Sequence, residues 1–172
     1  VLIKKASSIS SSSKNTWEYE LILKGRKEPI IFYAQSYAQK KSPTSLEPKR
    51  QREYLKRQER IMRLAHVHQL APEARYAEVG GYPILVMRRQ NGEPMGKSMD
   101  LNSVKAIGFA IGKLHGIGIE HGDIVHFLED EPNRLRCDHV FLQPDGKIAF
   151  IDFGWAEFSE TARLKRGSEY GY

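Results

Sequence analysis

The chain has 172 residues, 40% of them apolar, and 27 lysines and arginines against 21 acidic residues give a formal net charge of +6. That length suits one domain, or two small lobes sharing a cleft, with enough apolar material for a core. The charge favours anionic partners such as nucleotide, phosphate, nucleic acid or a membrane surface, and a single cysteine, Cys137, excludes an internal disulfide.

No apolar run approaches the roughly 20 residues that span a bilayer. The longest candidate, VKAIGFAIGKLHGIGI, is cut by Lys113 and His115. The opening VLIKKASSISSSSK is too short in its apolar part for a signal peptide. A reducing, cytoplasmic setting is the expectation. A chain that opens on Val1 and stops at GSEYGY reads as a fragment or a trimmed chain.

In chain order, VLIKKA and TWEYELILKG predict two strands around the serine run Ser7 to Ser13, itself a loop or strand-connecting turn. EPIIFYAQSYA predicts a third strand, and KKSPTSLEPKR a loop. From Arg50 to about His68 the chain is charged and helix-prone, with Leu55, Ile61, Met62 and Ala65 gathered on one face. ARYAEVGGYPILVMRR predicts a hairpin turning at Gly80-Gly81. QNGEPMGKSMD is turn-rich and marks a boundary between lobes at 1–89 and 90–172. Val104, Ile107, Ile111 and Leu114 then recur at helical spacing, with Asn102 or Asp100 as the cap. The helix ends near HGIGIEHGD, and DHVFL and KIAFID follow as strands around the turn QPDG. The pattern is α+β: a small antiparallel sheet with one helix, then a short, mainly helical second lobe.

Two aspartates flank that last hairpin. Asp123, in the turn EHGD, is placed to accept or orient a proton from a substrate hydroxyl. Asp152 ends the strand KIAFI, and the nearby Gly154 lets the chain turn away, which suits a hard cation such as Mg²⁺. Two such carboxylates with basic residues nearby suggest phosphoryl transfer from a nucleotide.

HGD…IDFG resembles the catalytic loop and metal-binding turn of the protein-kinase-like superfamily. The motifs fall in residues 114–156, and the likeness is nearest to the small atypical kinases of the Bud32 type and to the lipopolysaccharide-core and Kdo kinases. The resemblance implies a two-lobed kinase-like fold that uses ATP and Mg²⁺. It implies Asp123 as catalytic aspartate and Asp152 as the magnesium ligand. It lays Met87, Arg88, Arg89 and Gln90 along the adenine edge. It makes the charged helix the regulatory helix of the first lobe, with Glu59 as its glutamate and Glu53 second. Either glutamate reads equally as a solvated partner of a nearby base.

The chain departs from the pattern in three places. The asparagine that usually helps hold the metal would fall on Leu128, and VHFLEDEPNRLRC reads as an insertion. Counting back from Asp152 puts that role on His139, with Asn133 as the alternative; His139 can equally just open a strand. A neutral imidazole ligates metals but is softer than magnesium prefers. The lysine that anchors the α- and β-phosphates is replaced by Gln35, unless Lys40 or Lys41 reaches further, and a missing charge there weakens transition-state stabilisation. ASSISSSSKN occupies the place of a glycine-rich loop, lacking glycine's freedom for close backbone approach.

His121, His126, Cys137 and His139 could form a zinc site, but their spacing matches no common finger. Phe153 and Trp155 read as packing residues rather than a platform for bases. Three functions remain open. The first is an ATP-dependent phosphotransferase acting on a protein or glycan hydroxyl, its basic charge suiting an anionic glycan or an RNA-associated complex of the Bud32 kind. The second is a pseudokinase serving as nucleotide-binding or scaffolding module. The third is an RNA-binding accessory using KRQREYLKRQERIMR, whose charges also fit a solvated helix face.

Overall fold

The computed structural model describes residues 2–10, 15–25, 27–36, 48–95, 100–124, 126–128, 131–137 and 139–160; within 2–15 and 126–136 the description is of the backbone. The architecture is α+β, with an antiparallel N-terminal sheet and two helices. Contacts divide the chain into two compact units, Val1–Arg60 with Glu73–Arg89, and Ile61–Pro72 with Gln90–Tyr172.

In the first unit, β1 (Leu2–Ser10), β2 (Asn15–Ile22) and β3 (Ile30–Ser36) are followed by α1 (Pro48–Val67), β4 (Ala74–Val79) and β5 (Tyr82–Arg88). The five strands pair antiparallel in the order β1-β2-β3-β5-β4. Half of the serine run is strand rather than loop: Ser7, Ser8 and Ser10 pair with Glu18, Trp17 and Asn15. Serine is a weak strand former, so the aromatic and β-branched neighbour β2 carries the pairing. Ser11 to Ser13 lie outside the described residues.

Side chains alternate across the sheet. Pro83, Leu85 and Met87 form the buried face of β5, and register brings Tyr33, Gln35, Ala74 and Tyr76 to the same face. α1 meets this face: the Lys56 ammonium lies 5.1 Å from the Tyr76 ring centre, and Arg52 pairs with Glu78 at 3.3 Å. The opposite face carries Phe32, Val86, Arg75 and Arg88, and there the Tyr19 and Phe32 rings stack at 5.5 Å.

The second unit begins with the end of α1. Leu70 N–H reaches Ala65 O at 2.9 Å and Gln69 N–H reaches His66 O at 2.8 Å. This is a Schellman ending with Gln69, at φ 62°, where glycine is usual. Leu70 O then accepts from Phe150 N–H at 2.8 Å. After β6 (Glu93–Pro94) comes α2 (Leu101–Gly116). Its cap is Asp100, whose carboxylate accepts from Ser103 N–H at 2.7 Å. A hydrogen bond from the Ser103 side chain, then this backbone bond, lowers the Asp100 pKa. Ile107, Ala110, Ile111, Leu114 and His115 form its buried stripe.

Beyond α2 the chain is strand-rich: β7 (Ile119–Glu120), β8 (His126–Leu128), β9 (Glu131–Arg136), β10 (Val140–Leu142), β11 (Ile148–Phe150) and β12 (Glu157–Phe158). The expectation of a mainly helical second lobe therefore fails among the described residues. Only α2 and the tail of α1 are helical there, because glycine, proline and short apolar runs after Gly116 favour two- and three-residue strands. The presumed insertion pairs with itself, β8 with β9, and joins no other sheet. β10 pairs with β11 through the QPDG turn, where Gly146 N–H donates to Gln143 O at 2.9 Å. β10 also pairs with β6, so part of the presumed linker is sheet.

Gly92 makes that last pairing feasible. At φ 107° a Cβ on Gly92 would stand 2.2 Å from Leu142 O. Gly92→Ala should lower unfolding free energy by about 3 kcal/mol, read as a reduced urea midpoint; an unchanged midpoint would show that β6 is dispensable.

Candidate functional site

Two loops of the second unit carry the aspartates. α2 leads through Gly118 into β7, and His121-Gly122-Asp123 follows at once. β11 ends at Phe150 and continues as Ile151-Asp152-Phe153-Gly154. Pairing of β7 with β12 clasps both loops: Ile119 lies opposite Phe158, Glu120 opposite Glu157, and Ser159 N–H donates to Gly118 O at 2.9 Å.

His121 joins the loops from inside. Its side chain is fully buried, its ring lies 4.5 Å from the Phe153 ring and 5.8 Å from the Phe150 ring, and Nε2 is 3.0 Å from Ile151 O. A carbonyl only accepts, so Nε2 carries the hydrogen. Nδ1 is then a buried lone pair with no hydrogen-bond partner. Burial is the chief reason that the His121 pKa drops to about 4; His139 pushes the same way, while the bond to Ile151 and the Asp152 carboxylate oppose it.

His139 supplies a second tie. Its Nδ1 donates to Asp123 O at 2.8 Å and stands 3.5 Å from Asp123 Oδ2. Ile151 N–H donates to His139 O at 2.9 Å. The run Asp123, His139, Ile151, His121 is thus a closed ring of bonds uniting both loops. The side chains of His139 and Asp123 are 22% and 16% exposed, so solvent reaches both.

The glycine beside Asp123 has a steric cause. Gly122 takes φ 75°, and a Cβ there would meet Trp155 O at 3.1 Å. At the other aspartate, Asp152 itself adopts φ 58°. Left-handed backbone costs a non-glycine residue roughly 1 kcal/mol, and aspartate is among the residues that tolerate it. Such strain concentrates at functional turns. Phe153 is buried as expected. Trp155 is not a packing residue: it is 76% exposed, because Ala156 takes the inward position.

The remaining candidates fall as follows. Gln35, on the buried face of the sheet, follows Tyr33 by two residues and supplies no charge. Burial, then a hydrogen bond donated to Glu18, raises the Tyr33 pKa, while Arg89 pulls it down. Glu59 is half-buried and Glu53 is exposed. The buried stripe of α1 carries Gln51, Leu55, Gln58, Met62 and Ala65 instead, and neither polar atom of the Gln58 amide has a hydrogen-bond partner. Spacing of three and four residues would have picked out Gln58. Arg88 N–H donates to Glu73 O and Arg89 N–H to Ile31 O, so neither amide is free for a purine edge. Met87 lies within the ladder, and the Arg88 side chain is on the opposite sheet face. There it lines a cavity of about 300 Å³ with Ile30, Phe32, Glu73, Arg75 and Val86. The Gln90 amide nitrogen donates to Asn91 O at 3.1 Å. Lys40 and Lys41 lie outside the described residues, as do the side chains of His126, Leu128 and Asn133.

Among the described residues no three His, Cys, Asp or Glu side chains converge on a metal site, which leaves the zinc alternative unsupported. No described helix is long and apolar enough to cross a membrane. The basic helix is partly engaged within its own unit, through Arg52 with Glu78 and Lys56 with Tyr76.

Over 85 residues the sequence is 35% identical to the KEOPS complex subunit Bud32 of Pyrococcus abyssi, an alignment that covers 45% of this chain and 33% of that protein. The chain thus spans about a third of the length of the curated relative it matches. No protein-family model matches the sequence. The likeness accords with the Bud32-type resemblance of the two motifs.

The buried imidazole sets an acid limit on stability. With its folded pKa near 4 and an ordinary value of 6.5, His121 stays neutral in the native state while the unfolded chain takes up a proton. Stability from this group is full above about pH 6.5, falls as pH drops, and levels near pH 4, a loss of about 3 kcal/mol. Urea unfolding at both ends of that window should register the drop, and His121→Gln should abolish this component. An equal drop in the variant would assign it to other groups.

Proposed function

We propose that the chain is part of an ATP-dependent phosphotransferase of the kinase-like kind, with Asp123 as catalytic aspartate and Asp152 as the ligand of a nucleotide-borne Mg²⁺. The observation that carries this reading is the ring of hydrogen bonds through His121 and His139, which holds the Asp123 and Asp152 loops together. The Bud32 likeness supports it from sequence.

Asp152 offers a hard carboxylate and His139 an imidazole, and magnesium usually takes one or two protein ligands with the phosphates supplying the rest. Bound there, the ion would neutralise charge on the transferring phosphoryl group. Asp123 orients the acceptor hydroxyl and takes its proton as the oxygen attacks. His139, through Asp123 O, fixes the backbone from which that carboxylate projects. The acceptor is a protein or glycan hydroxyl.

A second reading, a pseudokinase that binds nucleotide or serves as a scaffold, is favoured by Gln35 and Tyr33. The expected lysine is a neutral amide, and a bulky phenol shares its buried sheet face.

Calorimetry of ATP with and without Mg²⁺ separates these readings. Asp152→Asn keeps a residue that tolerates left-handed backbone, so it should fold normally and lose the magnesium dependence of binding. Asp123→Asn should bind nucleotide normally and lower phosphate transfer by about a hundredfold or more. Binding indifferent to metal and to Asp152, with no turnover, would reject the phosphotransferase and favour the second reading.

A further inference from the structure

We infer that the outer face of the five-stranded sheet, turned away from α1, binds single-stranded nucleic acid, with one base seated in the cavity lined by Ile30, Phe32, Glu73, Arg75, Val86 and Arg88. The inference concerns the first unit alone and does not rest on the phosphotransferase reading.

Register builds the site. Arg88 stands directly opposite Phe32 in the β3–β5 ladder, and on its other side its N–H donates to Glu73 O at 2.9 Å. Phe32, Arg88 and Glu73 therefore form one row across three neighbouring segments of chain. In the next row of this face Val86 stands opposite Arg75, and Ile30 precedes Phe32 by two positions. The Phe32 ring is steadied by its stack on Tyr19 at 5.5 Å, and Trp17 continues the same face of β2. All three rings are only half-buried. The cavity holds about 300 Å³, at the small end of ligand pockets, which suits one flat ring system.

The lining chemistry selects the occupant. Phe32, with Ile30 and Val86, offers a stacking surface for the face of a base. Glu73 Oε1 accepts from Arg75 Nη2 at 3.2 Å, whereas among the described residues the Arg88 guanidinium has no hydrogen-bond or ion-pair partner. The pocket thus pairs a cation suited to phosphate with a carboxylate suited to base N–H groups. Guanine, with imino and amino hydrogens on one edge, fits that carboxylate best. Residues 1–89 carry eighteen lysines and arginines against eight acidic residues, so the half of the chain that holds the sheet attracts a polyanion. Lys24 and Lys27 are exposed in the turn that leads into Ile30. An acidic peptide would set carboxylates against Glu73. A basic peptide would meet the net positive charge. A duplex keeps its base faces stacked away from Phe32.

The test is fluorescence anisotropy with a short labelled single strand of alternating guanine and uracil, with no ATP present. The comparison ligands are oligouridine, a duplex of equal length, a glutamate-rich peptide and free GMP. The parent should bind the guanine-containing strand most tightly, and less tightly as salt rises. Phe32→Leu keeps apolar bulk without the ring and should weaken binding about tenfold. Arg88→Gln should weaken binding and lower the salt slope by about 0.7. Since Arg88 is exposed, that variant tests the site even where Phe32→Leu disturbs the sheet. Glu73→Gln should erase the preference for guanine over uracil. Arg57→Ala with Arg63→Ala, on exposed positions of α1, should leave binding unchanged. Unchanged affinity in Arg88→Gln, or loss of binding in the α1 variant alone, overturns the inference. So does equal binding of duplex, glutamate peptide or free GMP.

Discussion

A single hydrogen bond from a buried side chain, His121 Nε2 to Ile151 O at 3.0 Å, is the constraint on which the candidate site depends. It joins a loop that leaves a helix to a loop that leaves a strand, thirty positions apart in sequence. The ring packs against Phe150 and Phe153, so its donor side is held within the core. The same enclosure forces the imidazole to be neutral. His139 completes the arrangement from the solvent side, tying Asp123 O to the backbone of Ile151. Both aspartates therefore project from backbone that packing and hydrogen bonds fix, which is what charge-neutralising chemistry on a phosphoryl group requires.

Much of this was legible in the sequence. Alternating β-rich stretches marked β2 to β5, helical spacing marked both helices, and Pro144-Asp145-Gly146 marked the β10–β11 turn. His-Gly-Asp and Asp-Phe-Gly drew attention to these two loops, because their polar and glycine residues stand out from the apolar runs around them. What escaped was set by register and tertiary contact. Ser7 to Ser10 join a strand because β2 recruits them. Asp152 takes a left-handed backbone at φ 58°, which only the structure reveals. Trp155 is exposed because Ala156 claims the inward position. Gln58, one residue from Glu59, occupies the buried stripe, a difference that depends on which helical face turns inward. The bond from His139 to Asp123 spans a self-paired insertion and has no local sequence signal.

The two units differ in what they bring to the proposed function. In the second, two carboxylates and a histidine project from a fixed backbone. In the first, Gln35 brings no charge, Tyr33 adds bulk, and the amides of Arg88 and Arg89 are committed to the sheet. Charge is also divided: the basic excess lies outside residues 118–160, while the stretch with both aspartates is acidic. The chain's overall positive charge therefore does not describe the stretch that carries the two aspartates.

On the proposed phosphotransferase reading, Asp123, His139 and Asp152 lie around one nucleotide-borne cation. Paramagnetic broadening of assigned amide and side-chain NMR signals by Mn²⁺ in the presence of ATP probes that arrangement. Signals of Asp123, His139 and Asp152 should broaden first and together, and only when nucleotide is present. Broadening that ignores ATP, or that begins at exposed carboxylates such as Asp145, would contradict it.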